Sequence, residues 1–352
     1  MEARLLEREL AVYRAERQRI DPDRRWHYTP EHRLERVFKR QGVVIPRSTM
    51  CGWVKQCADL LRPLVDLMAQ RVRQSSVIHT DDTPVPVQDK SRDKTRQGRF
   101  WVYLGDAAHP DTVFDYTPSR SRDGPVKWLD GFKGYLQADA FGGYDGIYAS
   151  GGVIEVACWA HARRKFYDAR LTAPAPAHTA MAYIRKLYDV EDEAKANHLD
   201  LPQRTALRQQ QSRPLLEQFR RWLIEQSKDA LPKSPIGQAI GYTLNNFEAL
   251  TRYTDDPGTS GGAPGVDLAI DNNASERALR SVAIGRKNYL FMGSDAGGRS
   301  AAIHYSLVAT ALRHNLDPWA YLRDVLARIS ATPLSQLESL LPDRWQPAAV
   351  EN

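Results

Sequence analysis

From Ser76 onward the apolar residues change period, and that change restricts the fold more than any other feature of the chain. Val77 to Thr80, Pro84 to Val87, Arg99 to Leu104 and Thr112 to Tyr116 are rich in β-branched and aromatic residues and separated by polar or Pro-containing breaks. This pattern predicts three sequential strands, the first continuing past Pro84. A helix over 119–130 follows, packing Val126, Trp128 and Leu129. Gly134 to Ala138 then reads as a fourth strand, 142–149 as a Gly-rich turn with a short helix, Val153 to Ala157 as a fifth strand and 160–169 as a helix. The order β-β-β-α-β-α-β-α predicts an α/β core in which an antiparallel meander leads into crossover units.

Residues 171–270 have another character. Tyr183, Leu187, Val190 and Ala194, and again Ile236, Ile240, Leu244 and Phe247, recur at helical spacing, which predicts an all-helical insertion ending in the Pro/Gly-rich stretch 256–265. Helices are expected again over 273–283, 299–314 and 317–329. The division that results is a first core part at 76–170, the insertion, a second core part at 271–330 and a C-terminal tail at 331–352. Ahead of the core, residues 1–30 read as a poorly ordered charged segment. Residues 31–73 read as two helices around Gly42, the second capped by Ser48 or Thr49 and carrying Trp53, Val54 and Leu60. That segment fits a DNA-binding helix-turn-helix and equally an ordinary helical hairpin.

Composition narrows the setting. Among 352 residues, 49 Lys and Arg against 43 Asp and Glu give a net charge of +6, compatible with a polyanionic partner but no proof of one. Three cysteines, Cys51, Cys57 and Cys158, make no disulfide framework, so a reducing cytoplasm is expected. No apolar run approaches the roughly 18–20 residues that span a bilayer, so no membrane partner is expected.

Three acidic positions stand out. In His79-Thr-Asp-Asp-Thr-Pro84 two acids end an apolar strand, and strand alternation sends Asp81 and Asp82 to opposite faces. Asp82 is then the structural one, expected to accept a backbone N–H of the following turn. Asp139 directly follows the fourth strand beside a Gly-rich turn, where α/β sheets place binding groups. In Asp271-Asn-Asn-Ala-Ser-Glu276, Asn273 and Glu276 fit a capping box, yet Asn272, Asn273, Glu276 and Arg280 also form a polar stripe. Ribonuclease-H-like cores have this strand order and bind two divalent metals with three such acids. Hard ions prefer carboxylate oxygen, and two of them about 4 Å apart can activate an attacking oxygen and stabilise a leaving one.

Together with Cys158-Trp-Ala-His161-Ala-Arg-Arg-Lys165 and Gly285-Arg-Lys-Asn-Tyr-Leu-Phe-Met-Gly-Ser294, these motifs resemble the IS66 family of bacterial insertion-sequence transposases over roughly residues 31–345. The resemblance implies a DDE triad of Asp81, Asp139 and Glu276 on two Mg2+ or Mn2+ ions. It is the resemblance that selects Asp81; Asp82 stands where the family commonly has Glu. It also implies double-stranded DNA as partner, both element ends and target, a homo-oligomer on that DNA, accessory proteins encoded by the same element, and a nucleoid-associated bacterial protein. Cys158 and His161 match a Cys-x-x-His motif expected to be structural and close to the acids. Arg163, Arg164 and Lys165, with Arg277, Arg280, Arg286 and Lys287, are the expected phosphate contacts. Gly293 to Arg299 ahead of a helix is a further candidate phosphate cradle.

Full-length relatives carry a coiled segment and a Cys-rich zinc domain at the front, which this sequence does not show, and an alternative start or a frameshift is the expected reason. The expectation is a DDE transposase that cuts and joins DNA strands. Its rivals are a nuclease on the same core that only hydrolyses, and an inactive DNA-binding remnant.

Overall fold

The computed structural model describes residues 31–89, 91, 93–149, 151–255 and 265–347; the first segment of the sequence reading, 1–30, lies outside them. Five strands form one mixed sheet: β1 (Val77–Val87), β2 (Arg96–Leu104), β3 (Thr112–Thr117), β4 (Gly134–Gln137) and β5 (Val153–Val156), in the order β3-β2-β1-β4-β5. The meander β1-β2-β3 is antiparallel and β4 and β5 run parallel to β1, as the alternation and the crossover segments require.

Two helices precede the sheet, α1 (Glu31–Arg40) and α2 (Arg47–Val72). The second is not the short helix expected after a Ser or Thr cap. It starts directly after Pro46 with no side-chain cap and runs 26 residues through Pro63. Its C-terminal half is core, because Leu61, Leu64, Met68 and Val72 are fully buried against Ile78, Trp101 and Leu136 of the sheet. Only its first turns, with Met50 and Trp53, face Phe38 and Leu34 of α1.

The crossover from β3 to β4 carries α3 (Asp123–Trp128), where Trp128 stacks on Tyr103 with ring centroids 3.6 Å apart. Val126, expected to pack, is instead 43% exposed. The short α4 (Asp145–Tyr148) lies between β4 and β5, and α5 (Trp159–Ala169) follows β5. From there to Thr254 every element is helical: α6 (Pro174–Ala196), α7 (Leu201–Leu207), a π turn at Arg208–Ser212, α8 (Arg213–Asp229), α9 (Pro235–Asn245) and α10 (Phe247–Thr251). Trp159 and Phe166 of α5 carry this block, packing on Ile184, Leu187, Phe219 and Ile240. The Trp159 indole N–H donates to the Leu250 carbonyl at 2.7 Å.

The chain returns to the sheet through α11 (Asn273–Tyr289), α12 (Asp295–Arg313) and α13 (Pro318–Arg328). Leu279 and Val282 of α11 and Ala302 of α12 cover the face made by Val85, Phe100, Val102 and Phe114. An edge strand leaves backbone groups open to a stray partner, and α12 closes this one. Ser306 and Thr310 hydroxyls accept the Phe114 and Thr112 N–H groups at 2.8 and 2.9 Å. Beyond α13, Leu337, Leu340 and Leu341 are buried in the main core, so residues up to 347 include a packed segment rather than only a loose tail.

Candidate active site

Asp81 and Asp82 sit mid-strand on β1, paired in register with Val102 and Trp101. Asp82 does not cap the following turn. Its side chain is 2% exposed and is held by two cations, Arg99 from β2 at 2.7 Å and Arg120 from the loop after β3 at 2.8 Å. It is Asp81 whose Oδ1 accepts a backbone N–H, that of Asp82, at 2.7 Å. Asp81 has no such pair of guanidiniums. Burial, then the nearby Asp139 carboxylate, and to a smaller degree Asp82 and Glu276, push its carboxyl up to about 7.

Asp139 follows β4 at a strained step. Ala140 has φ of 58°, a left-handed conformation that costs a non-glycine residue about 1 kcal/mol. The turn lets Asp139 Oδ1 accept the Phe141 N–H at 3.1 Å, while Oδ2 lies 3.6 Å from Arg120 Nη2. Strained backbone persists where surroundings over-determine it. Here the Tyr242 hydroxyl of α9 holds the Asp139 carbonyl at 3.3 Å.

Glu276 approaches from the first turn of α11. The capping box expected there is absent: the N-cap position is Asn272, with no side-chain cap bond. Asn272 is fully buried and spends its side chain elsewhere. Its amide donates to the Thr80 carbonyl at 2.7 Å, its oxygen accepts the Ser275 hydroxyl at 2.9 Å, and its own N–H reaches Cys158 Sγ at 3.2 Å. Asn273 bonds Asp271, which is oriented by the Tyr188 hydroxyl at 2.9 Å. Glu276 is thereby free of the helix end, and its Oε1 lies 3.7 Å from both His161 Nε2 and Arg164 Nη2.

Cys158 and His161 bracket the start of α5. Burial raises the Cys158 thiol to about 11 and lowers the His161 imidazole, which favours the neutral forms of both. The motif therefore works as a joint between β5, α5 and α11, with His161 turned toward Glu276. An open cavity of about 530 Å³ is lined by Asp81, Asp82, Thr83, Asn273, Glu276, Arg277, Leu279, Arg280 and Ala283. Among the described residues no three His, Cys, Asp or Glu side chains close on one point as a ready-made metal site. Asp81, Asp139 and Glu276 offer only carboxylate oxygens, the donor type that hard cations prefer, and burial together with the neighbouring acids disfavours the charged form of Asp81.

Compared with known proteins, residues 24–300 match the family described as Transposase IS66 family, and residues 306–342 match its IS66 C-terminal element. The chain belongs to the IS66 transposase family. It is similar to Uncharacterized protein y4hP of Sinorhizobium fredii, 32% identical over 344 residues that cover 92% of this chain and 60% of that protein. Uncharacterized protein y4jD of the same organism is 32% identical over 336 residues, covering 91% of this chain and 63% of that protein. The IS66-family chain thus spans about three fifths of the length of these curated relatives.

The basic positions of this IS66-family chain divide. Arg277 and Arg280 line the cavity, and Arg163, Arg164, Lys165 and Lys287 are exposed. Lys165 also lies 4.6 Å over the Tyr242 ring. Arg286 is different, donating to the Pro84 carbonyl and so bracing α11 on β1. The Gly293 to Arg299 segment is no phosphate cradle. Ser294 caps α12 through the Gly297 N–H, and the Asp295 carboxylate occupies the helix start, bound by Arg96 and the Tyr116 hydroxyl. Gly298 is needed because a Cβ there would lie 2.6 Å from the Tyr116 ring. Sequence reading missed Arg99 and Arg120, whose only signal is that Arg99 lies on β2, the meander strand next to β1, and Arg120 just past β3. Among the described residues no helix is long and apolar enough to cross a membrane.

Proposed function

We propose that this chain is the catalytic region of a DDE-type transposase, a ribonuclease-H-like core with a helical insertion between its second and third acids. The strand order and the entry of Asp81, Asp139 and Glu276 from β1, the end of β4 and α11 support this reading. The observation that carries it is geometric: Asp81 and Glu276 line one cavity, and Asp139, which after burial acts most on the Asp81 carboxyl, stands at the end of β4, the strand paired with β1. Chance acids on three distant segments have no reason to gather around a cavity that also presents Arg277 and Arg280.

Asp81, Asp139 and Glu276 would hold two Mg2+ or Mn2+ ions, which when bound supply Lewis acidity toward a phosphate oxygen and an activated attacking oxygen. The protein's own part is positioning. Arg277 and Arg280 offer guanidiniums at the cavity wall for DNA phosphates. Arg163, Arg164 and Lys165 extend the positive surface from α5, and these contacts supply affinity without sequence information. His161, neutral at physiological pH, lies beside Glu276 without competing for its charge. Asn272 ties α11 to β1, so that Glu276 and Asp81 line the same cavity.

Double-stranded DNA is the proposed substrate, with a homo-oligomer assembled on it and accessory proteins of the same element as further partners. Strand transfer separates this activity from hydrolysis alone. Incubated with Mn2+, a labelled DNA end and a target plasmid, the protein should yield label covalently joined to the target. Cleaved but never joined products would assign the core to a nuclease.

A further inference from the structure

Arg120 occupies an unexpected place among the acids. Its Nε and Nη2 donate to Asp82 Oδ1 at 3.0 and 2.8 Å, and the same Nη2 lies 3.6 Å from Asp139 Oδ2. The guanidinium lies over the Phe141 ring at 3.9 Å, so the fork is held flat against the turn that carries Asp139. One guanidinium therefore bridges β1 and the end of β4, where the acids would otherwise face each other. Asp81, one position away, lacks this partner, and the groups that shift it, apart from burial and the Asp82 N–H, are all acids.

We propose that Arg120 is a resident counter-ion that holds Asp82 and Asp139 in the free protein and must be displaced before a divalent cation is bound there. The inference rests on the metal reading given above. Three features support displacement over a permanent strut. Arg120 is on a loop and its side chain is 38% exposed, so it has somewhere to go. Asp82 keeps Arg99 at 2.7 Å, so its nearly buried charge does not lose its only counter-ion when Arg120 leaves. The contact to Asp139 is the longer one, 3.6 Å against 2.8 Å to Asp82, as expected for an attraction that a doubly charged ion can outcompete. A bridging arginine also accounts for the open arrangement of the acids, which do not close on one point among the described residues. Arg120 is thus a positioning residue, acting through Asp139.

The two roles predict opposite signs in a binding measurement. Mn2+ titrated into the intact protein without DNA, followed by electron paramagnetic resonance of the free ion, reads affinity independently of catalysis. Arg120→Ala should bind Mn2+ at least about threefold more tightly than wild type, the order expected on removing one partly exposed competing charge. Arg120→Lys, which keeps the charge but not the fork, should fall between them. Arg122→Ala removes an exposed charge from the same loop and should leave affinity within about 1.5-fold. Combining Arg120→Ala with Asp139→Asn should erase the gain. Unchanged or weaker binding by a folded Arg120→Ala protein would make Arg120 a strut for Asp139 and overturn the proposal. An equal gain in Arg122→Ala would overturn it too, by showing a general field effect. If neither wild type nor Arg120→Ala binds Mn2+ at millimolar concentration, the metal reading itself fails.

Discussion

Asp81 and Asp82 are adjacent in sequence and opposite in circumstance. Asp82 is neutralised by two arginines, whereas Asp81 is desolvated beside other acids. Asp81→Asn should therefore abolish metal-dependent strand cutting, while Asp82→Asn should retain roughly a tenth or more of it, as checked by gel cleavage assays at equal protein. Glu276→Gln should also be inactive yet melt within about 2 °C of wild type, since Glu276 makes no cap bond whose loss would weaken α11. At this scale the place of Asp139, directly after the fourth strand and before the Gly-rich turn, was legible, and its contact with the Phe141 N–H is the turn role that such a position also serves. The role of Asp82 was misread as a turn acceptor because its partners, Arg99 and Arg120, are distant in sequence and only the sheet brings them near. The capping box was misread for a related reason: a pattern of residue types does not reveal that Asn272 has a better use for its side chain.

Among elements, the strands and most helices were legible from periodicity, since a half-buried strand must alternate and a packed helix must repeat every three to four residues. The extent of α2 was not. Its first half carries Trp53, half-buried against α1, and the exposed Val54, and nothing local marks the second half as the face that meets Trp101 and Leu136. The joint that sets the start of α11 is Asn272, which ties the helix to Thr80 and Cys158. Asn272→Ala leaves buried polar groups unpaired and should lower stability by about 2–3 kcal/mol in urea melts. Its residual activity should fall even at temperatures where the protein stays folded, because Glu276 loses its register against β1.

Across the whole molecule, the front helices, the sheet and the C-terminal segment are clasped at one buried point. Arg71 of α2 bonds Asp343 at 2.6 Å and lies 3.2 Å from Asp111, a fully buried acid in the loop before β3. Burial raises the Asp111 carboxyl to about 6, with Arg71 pulling the other way. Because the folded value exceeds the unfolded one, the folded chain binds more protons between about pH 4 and 6, and stability from this group falls as pH rises through that window. Arg71→Met would leave Asp111 without its closest cation, raise its carboxyl further and extend the window upward. The variant should lose about 2–3 kcal/mol at pH 8 and distinctly less at pH 5, measured by urea unfolding at both. An equal loss at the two values would show that Asp111 does not titrate in the fold.

The claim on which the rest depends is that Asp81, Asp139 and Glu276 act as one site on DNA. It is tested most directly by cleavage of a plasmid carrying the DNA that flanks the chain's reading frame, with Mn2+ and without it, for wild type and Asp139→Asn side by side. The substitution changes charge with almost no change in shape, so DNA binding should stay within about twofold while cleavage falls by about a hundredfold or more. Cleavage by Asp139→Asn within about twofold of wild type, or wild-type cleavage indifferent to the metal, would contradict the assignment.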